Sequence, residues 1–159
     1  MFSYSIAGPS TLQVADTFGT TSGTHYLGLD NPDTAFYLGD SVTIEFGRMV
    51  QAVGLYVIAG SDAQAGDLEL AVAAGAVANS AMADLLVSDG QAFYLGLVES
   101  DPALGFSSAT LRGVPAGGAL LAFTADDITS AALAVPEPSS AALLLAGLAV
   151  LAGVLRRQR

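Results

Sequence analysis

The sequence contains no cysteine, no tryptophan and no lysine, and it has a single histidine, His25. Without cysteine, disulfides and thiolate metal sites are excluded, and one histidine cannot build a zinc site. No serine lies in a G-x-S-x-G nucleophile elbow, and no glycine-rich loop is followed by the Lys-Ser/Thr of a phosphate loop. These absences favour a protein that is not an enzyme and needs no resident cofactor.

Basic residues are scarce and unevenly placed. Residues 1–135 hold 14 acidic side chains and two arginines, a net charge of −12, whereas residues 136–159 hold one acidic side chain and three arginines, a net charge of +2. A domain this acidic is a poor partner for nucleic acid. Residues 1–135 are long enough to form one domain with a hydrophobic core of its own.

The longest apolar run covers residues 139–155 and carries no charge. As a helix it would reach about 25 Å, slightly less than the roughly 30 Å of a bilayer core. Pro136 and Pro138 resist inclusion in a helix, so the helix should begin after them. A buried core helix is the alternative, but core helices are rarely apolar on every face. We predict a transmembrane helix over residues 139–155, with a basic tail at residues 156–159 held in the cytoplasm.

The order of Val135-Pro136-Glu137-Pro138-Ser139-Ser140, an Ala/Leu/Gly helix and a terminal arginine cluster resembles the PEP-CTERM sorting signal. That signal occurs on exported proteins of Gram-negative bacteria that make exopolysaccharide. The same segment is also known as an "ice-binding protein C-terminal domain", a label for a shared tail that is no evidence of ice binding.

The resemblance implies that exosortase, a membrane protease-transpeptidase, recognises Pro136, Glu137 and Pro138. It also implies that Arg156, Arg157 and Arg159 form the cytoplasmic stop. The protein would pass transiently through the inner membrane before it reaches the cell surface or the medium. Residues 1–6 have neither a basic nor an apolar signal-peptide region, so we expect the natural N-terminus to lie upstream.

Short strands are predicted along residues 1–135, separated by Gly- and Asp-rich turns, with no firm helix. Residues 41–46 alternate most clearly, with Val42, Ile44 and Phe46 on one face and polar residues on the other. Residues 50–59 are nearly all apolar and should be buried on both faces. Residues 79–87 are ambiguous between helix and strand. The remaining strands are predicted at residues 2–6, 12–18, 26–29, 35–38, 67–72, 91–98, 105–111, 119–124 and 128–134.

This rhythm predicts an all-β domain, with a jelly-roll-like β-sandwich as its natural architecture. The body also resembles the ectodomains that often accompany the PEP-CTERM tail. The residues that carry this looser resemblance are Val53-Gly54-Leu55-Tyr56 and Asp126-Asp127-Ile128. The resemblance supports the jelly roll and brings no activity with it.

Carboxylates are the most plausible functional groups of residues 1–135. Asp126 and Asp127 are adjacent, and Asp16, Asp30/Asp33 and Asp62/Asp67 lie at predicted turns or strand ends. Calcium takes six to eight oxygen ligands, which sandwich loops can supply. Aspartate is also a favoured turn residue, and solvated turn carboxylates are the simpler interpretation. Asp126 and Asp127 therefore stay weak candidates for calcium or for a structural hydrogen-bonding role.

Two further hypotheses concern His25 and the aromatic residues. His25 stands beside Thr24 and Tyr26, where an ordinary strand-edge residue is favoured over a catalytic one. Aromatic side chains can stack on sugars, but most of those on predicted strands suit core packing. The candidates are Tyr26, Phe36, Tyr37, Tyr56, Phe93, Tyr94 and Phe106.

The sequence thus predicts an exported surface or secreted protein that is sorted through residues 136–159. The ectodomain would serve an exopolysaccharide matrix and bind sugar or calcium. A secreted hydrolase and an unprocessed single-pass membrane protein are the alternatives.

Overall fold

The described part of the chain folds as ten antiparallel strands joined in one continuous sheet. A computed structural model describes residues 2–60, 63–74, 77–82, 88–101, 103–114 and 122–132. The strands are β1 (Ser3–Ile6), β2 (Leu12–Ala15), β3 (Tyr26–Leu29), β4 (Phe36–Tyr37), β5 (Ser41–Ala59), β6 (Leu68–Ala74), β7 (Val77–Met82), β8 (Ala92–Val98), β9 (Phe106–Gly113) and β10 (Ala122–Ala132). Within these ranges there is no helix, so the prediction of an all-β fold is confirmed.

The 19-residue strand β5 organises the sheet. Its register against β9 shifts between Glu45 and Val50, and Gly47 between them has φ 65°, a left-handed conformation that glycine adopts without strain. Before this irregularity β5 pairs with β1 and β9; after it, β5 pairs with β8 and β10, and Val50 alone still pairs with β9. We call residues 41–46 with β1, β9, β6 and β7 the back part of the sheet. Residues 50–59 with β8, β10, β3, β2 and β4 are the front part.

Both parts contribute to a single hydrophobic core. Val42, Ile44 and Phe46 of the back part are buried, as their alternation predicts, and so are Leu55 and Val57 of the front part. Each fully buried side chain of this kind stabilises the fold by about 1.5–3 kcal/mol. Phe36 of β4 stacks on Phe123 of β10 with ring centroids 5.3 Å apart, and this contact fixes the short strand β4 against its neighbour.

Three strand predictions differ from the structure. Residues 41–46 and 50–59 form one strand. The chain bends at Gly47 without turning back, so strand pairing continues past this residue. Predicted strands 119–124 and 128–134 are likewise joined in β10 across a bulge. The ambiguous segment 79–87 is a strand as far as Met82.

The prediction that residues 50–59 are buried on both faces is wrong in part. One face is buried in the core, but Ala52 and Tyr56 on the other face are only half-buried. Ala52 lines a surface depression on that face. The jelly-roll sandwich stays a prediction.

The predicted transmembrane helix at residues 139–155, the motif at residues 136–138 and the basic tail lie outside the described residues. Among the residues that are described, none belongs to a helix long and apolar enough to cross a membrane.

Candidate functional site

The outer surface of the front part is built from three neighbouring strands, β8, β5 and β10. Their registers place residues in transverse rows, and we call this surface the front face. The rows, each in the order β8, β5, β10, are Ala92–Ile58–Thr124, Tyr94–Tyr56–Asp126, Gly96–Gly54–Thr129 and Val98–Ala52–Ala131. Asp126 is the only charged residue among them, so the face is mainly apolar, aromatic and hydroxyl-bearing.

A cleft of about 900 Å³ lies at the Ile58 end of the front face. Ile58, Ala92 and Thr124 reach it from the strands. The other residues come mainly from three surrounding turns and loops, and they include Phe18, Gly19, Thr20, Asp33, Tyr37, Asp89 and Gly90. Rigid strands therefore form one side of the cleft and loops form the rim, as in many ligand-binding sites.

Phe18 is the most exposed aromatic side chain on the rim, with 52% of its surface accessible. Its ring centroid is 6.0 Å from that of the buried Tyr26 at the start of β3. The Tyr26 hydroxyl also lies 2.6 Å from Oγ1 of Thr17, the residue before Phe18, and contacts Oγ1 of Thr34. Tyr26 thus supports the Phe18 backbone and ring while one face of the ring stays open to solvent.

Asp126 holds the 16–25 loop, which carries Phe18, in place through hydrogen bonds. Asp126 Oδ2 accepts hydrogen bonds from the Thr21 backbone N–H at 2.7 Å and the Thr21 hydroxyl at 2.8 Å. The loop covers this carboxylate so well that only 7% of Asp126 is exposed. Burial raises the pKa of the Asp126 carboxyl, but the hydrogen bonds from Thr21, Asp127 and Ser22 outweigh burial and hold the pKa below its ordinary value.

Asp127 holds the same loop from a bulged position in β10, and we call Asp126 and Asp127 together the clamp. Between Asp126 and Thr129, β10 has one residue more than the facing stretch of β5, and Asp127 adopts φ 47° there. Asp127 Oδ2 lies 2.8 Å from the Thr21 hydroxyl, and Asp127 Oδ1 accepts a hydrogen bond from the Ser22 hydroxyl. The bulge therefore turns two consecutive carboxylates toward the same loop.

Tyr37 and Asp33 form the opposite rim. The Tyr37 hydroxyl donates to Asp33 Oδ2 at 2.6 Å, and the Tyr37 backbone N–H donates to Asp40 Oδ2 at 2.8 Å. The hydrogen bond to Asp33, followed by burial and the nearby negative charges of Asp33 and Asp40, raises the pKa of the Tyr37 phenol. Tyr37 therefore stays protonated and keeps Asp33 in place beside the cleft.

Thr124 is the buried polar residue of the cleft. Only 4% of it is exposed, and its Oγ1 has no hydrogen-bond partner within the described part of the chain. An unpaired buried hydroxyl costs about 1–3 kcal/mol. Such a cost is tolerable where a bound molecule supplies the missing partner.

The structure separates the predicted aromatic platform into two groups. Tyr26, Phe36 and Phe106 are buried, whereas Tyr37, Tyr56 and Phe93 are half-buried and Tyr94 is exposed. The core interpretation thus holds for the first group, and Tyr37, Tyr56 and Tyr94 belong to the front face or its rim. Phe18 is absent from the predicted platform. It was predicted as the end of a strand over residues 12–18, but β2 ends at Ala15 and Phe18 lies in the loop that follows.

The predicted carboxylate candidates are not brought together. Asp16, Asp30 and Asp33 are exposed, Asp67 is fully buried, and Asp62 lies outside the described residues. Across the described ranges, no three His, Asp or Glu side chains form a potential metal cluster. For Asp126 and Asp127, the interpretation as solvated turn residues is wrong, because they bind the 16–25 loop; calcium binding by them stays a prediction.

His25 is exposed, and its Nδ1 lies 2.8 Å from Oγ1 of Thr24. No hydrogen bond between His25 and a described carboxylate is present, so the geometry gives no support to a Ser-His-Asp arrangement. The processing residues Pro136, Glu137 and Pro138 and the arginines of the tail lie outside the described residues.

Comparisons with known proteins bear on the tail. No curated protein matches the chain in sequence. The solved structure of TmCBM61 in complex with β-1,4-galactotriose is similar over 81% of this chain and 86% of its own length, with 12% sequence identity and a TM-score of 0.40. That likeness is too distant to bear on fold or binding. Residues 134–159 match the family model described as the PEP-CTERM protein-sorting motif, so the resemblance found in the sequence is confirmed and the protein carries a PEP-CTERM sorting signal.

Proposed function

We propose that this protein is exported, processed by exosortase and displayed or released as a binding module for neutral polysaccharide. The sorting motif implies processing by that membrane enzyme and a surface or extracellular location. The binding activity is assigned to the cleft on the front face. A component of an exopolysaccharide matrix would need both properties, and a jelly-roll sandwich would be a suitable scaffold.

The sorting steps follow the order of the tail. Pro136, Glu137 and Pro138 form the recognition motif, and residues 139–155 cross the inner membrane of a Gram-negative cell. Arg156, Arg157 and Arg159 hold the end of the chain in the cytoplasm until the helix is removed. The net charge of +2 in residues 136–159 supports this orientation.

One observation carries the binding proposal. The exposed Phe18, the acidic residues Asp33 and Asp89 and the buried Thr124 all line the same cleft. A sugar ring has an apolar C–H face that packs on an aromatic side chain, and hydroxyl groups that donate to carboxylates and to threonine oxygens. Few polar groups on a mainly apolar surface are the usual composition of a small-molecule site.

The charge of the domain indicates which polysaccharides fit. Residues 1–135 carry a net charge of −12, and the described residues that line the cleft include Asp33 and Asp89 but none that is basic. Acidic sugars would be repelled by like charge, whereas neutral sugars pay no such cost. The proposed ligand is therefore a neutral glycan.

The binding proposal is tested by affinity electrophoresis of the full-length chain, purified in detergent, through gels containing galactan, glucan, mannan or xylan. Polygalacturonate serves as the acidic comparison. We expect retardation by at least one neutral polymer, little by polygalacturonate, and an affinity about tenfold lower for Phe18→Ala, equivalent to about 1.4 kcal/mol. Phe2→Ala is the matched control, because Phe2 is an exposed phenylalanine that packs on Phe46 away from the cleft.

Equal mobility in all gels would refute the binding proposal, and equal losses for Phe18→Ala and Phe2→Ala would refute its location. The sorting proposal has a separate test, which is the intact mass of the protein recovered from envelope and medium of its native host. A product that ends near residues 136–138 supports processing. A full chain that persists only in membranes contradicts it.

A further inference from the structure

A second depression, a groove of about 450 Å³, lies at the other end of the front face. Its lining residues belong to the same three strands, β5, β8 and β10. They include Gly54, Tyr94, Gly96 and Thr129, and none of the described lining residues is charged.

Tyr94 lies flat in this groove because two glycines leave room for it. A Cβ added to Gly54 would be 1.8 Å from the Tyr94 hydroxyl oxygen, and one added to Gly96 would be 3.1 Å from the Tyr94 ring. The ring therefore occupies the space that side chains at positions 54 and 96 would fill. It remains 55% exposed, so it presents a flat aromatic surface to solvent.

Tyr56 and Thr129 fix the orientation of the Tyr94 side chain. Its ring meets that of Tyr56 edge to face with centroids 5.2 Å apart, and its hydroxyl is 3.4 Å from Oγ1 of Thr129. Thr129 in turn donates to the Gly54 carbonyl at 3.1 Å. A positioned aromatic ring with uncharged hydroxyls beside it suits a neutral sugar ring and offers nothing to a charged one.

The groove and the cleft are collinear along β5. Ile58 lines the cleft and Gly54 lines the groove, and the four residue steps between them along the strand span about 13 Å. Tyr56 lies between them on the same outer face. A ligand that fills both depressions must be longer than a single sugar and must run along the strand.

We infer that the Tyr94 groove is a second sugar subsite and that the protein binds an extended stretch of a neutral glycan chain, with the cleft and the groove holding different units of it. This inference rests on the proposed function. It adds a preference for long chains over short ones, because one chain engaging two subsites gains affinity from the second contact without a second loss of translational freedom.

The experiment is isothermal titration calorimetry of the full-length protein with neutral gluco-, galacto-, manno- and xylo-oligosaccharides of two to eight units. We expect the affinity for one of these series to rise with length until the chain spans both depressions and then to level off. Tyr94→Ala should weaken the longest ligands by about tenfold and the shortest by less than about twofold. Phe18→Ala should weaken every length.

Gly54→Ala provides a second way to empty the groove. Its new Cβ collides with the far end of the Tyr94 side chain, which can rotate away, so the fold is retained while the ring leaves its position. The double variant Gly54→Ala/Tyr94→Ala should bind like Tyr94→Ala alone, because both changes act through one ring. Tyr4→Ala, at an exposed tyrosine of β1, is the control and should bind like the unmodified protein.

The two proposals fail in different ways. If no neutral oligosaccharide or polysaccharide binds, the proposed function itself is wrong. If sugars bind with an affinity that does not depend on length, and Tyr94→Ala binds all lengths normally, the cleft acts alone and the second subsite is refuted.

Discussion

The two halves of β5 bury their inner faces equally well, yet their outer faces differ. In the back part the outward residues are Ser41, Thr43 and Glu45, a regular polar alternation that meets solvent. In the front part the outward positions are Ala52, Gly54, Tyr56 and Ile58, with no charge among them. A strand that needs only to stay soluble keeps the alternation. The loss of alternation in the front part therefore favours the proposal that this face binds a ligand.

The two faces also use their carboxylates differently. Asp126 on the front face is buried under the 16–25 loop and accepts hydrogen bonds from backbone and hydroxyl donors. Glu69 of β6, on the back part, is equally buried, but it pairs with Arg112, whose side chain is 53% exposed. Several backbone and hydroxyl donors covered by a loop stabilise a carboxylate more than one arginine that water and salt screen. The front carboxylate should therefore matter more for stability.

Asp126→Ala is expected to have the largest effect on stability. It removes the acceptor for the Thr21 and Ser22 donors and frees the loop that carries Phe18, at a cost of about 3 kcal/mol in the free energy of unfolding. Urea denaturation measures this loss. Glu45→Ala, at an exposed carboxylate of the back part, is the control and should change the free energy by less than about 0.5 kcal/mol.

If both alanine variants lose the same amount, the distinction between the faces is not a difference in hydrogen bonding. If Asp126→Ala is stable but no longer binds glycan, the clamp positions the loop without stabilising the fold.

The clamp also predicts how stability depends on pH. The folded-state pKa of Asp126 lies below that of the unfolded chain, which is about 3.9. The clamp's contribution is therefore complete above the unfolded pKa and is lost as pH falls through the folded pKa. Asp126→Asn should be less stable at neutral pH and should lose less stability on acidification. Urea midpoints between neutral and acidic pH test this, with Glu45→Gln retaining the full acid dependence.

The sequence predicted the parts of the fold that depend on local pattern. Strand β3 matches its prediction at both ends, and the alternation of residues 41–46 identified their inner face correctly. The continuity of β5 through Gly47 could not be predicted, because a glycine between two strands equally favours a turn. The tail was identified by its order of motif, apolar run and arginines, a pattern that needs no tertiary structure.

The candidate site was less predictable because it depends on contacts between distant segments. Tyr94 and Tyr56 were recognised as aromatic candidates, but the glycine at position 54 that accommodates the Tyr94 ring lies 40 residues away in sequence. Phe18 and Thr124 were predicted only as strand ends, and no pattern in the sequence marked either of them as a site residue. Asp126 was a candidate because Asp127 follows it. Its hydrogen-bond partners Thr21 and Ser22 could not be predicted, because they lie 105 and 104 residues away in sequence.

A smaller effect is expected from the ion pair of the back part. Arg112 donates from Nε and Nη2 to Glu69 Oε2, but more than half of the arginine side chain is exposed, so water and salt screen the pair. A double-mutant cycle with Arg112→Ala and Glu69→Gln should give a coupling free energy of about 0.5–1 kcal/mol. The coupling should decrease in high salt. A coupling as large as the effect of Asp126→Ala would contradict the ranking of the two carboxylates.

The smallest stability effect, and the sharpest comparison, is expected when one threonine of the back part and one of the front part are each replaced by valine. In the back part, the hydroxyl of Thr43 lies 3.1 Å from that of Thr110, and the pair is only partly buried. Because water can take the place of the lost hydroxyl, Thr43→Val should change the free energy of unfolding by less than about 0.5 kcal/mol. Thr124→Val removes a buried hydroxyl that is unpaired within the described residues, so it should be neutral or stabilise by up to about 1 kcal/mol. Only Thr124→Val should weaken glycan binding. Loss of stability in Thr124→Val would mean that the hydroxyl has a partner within the protein and that the cleft does not hold it for a ligand.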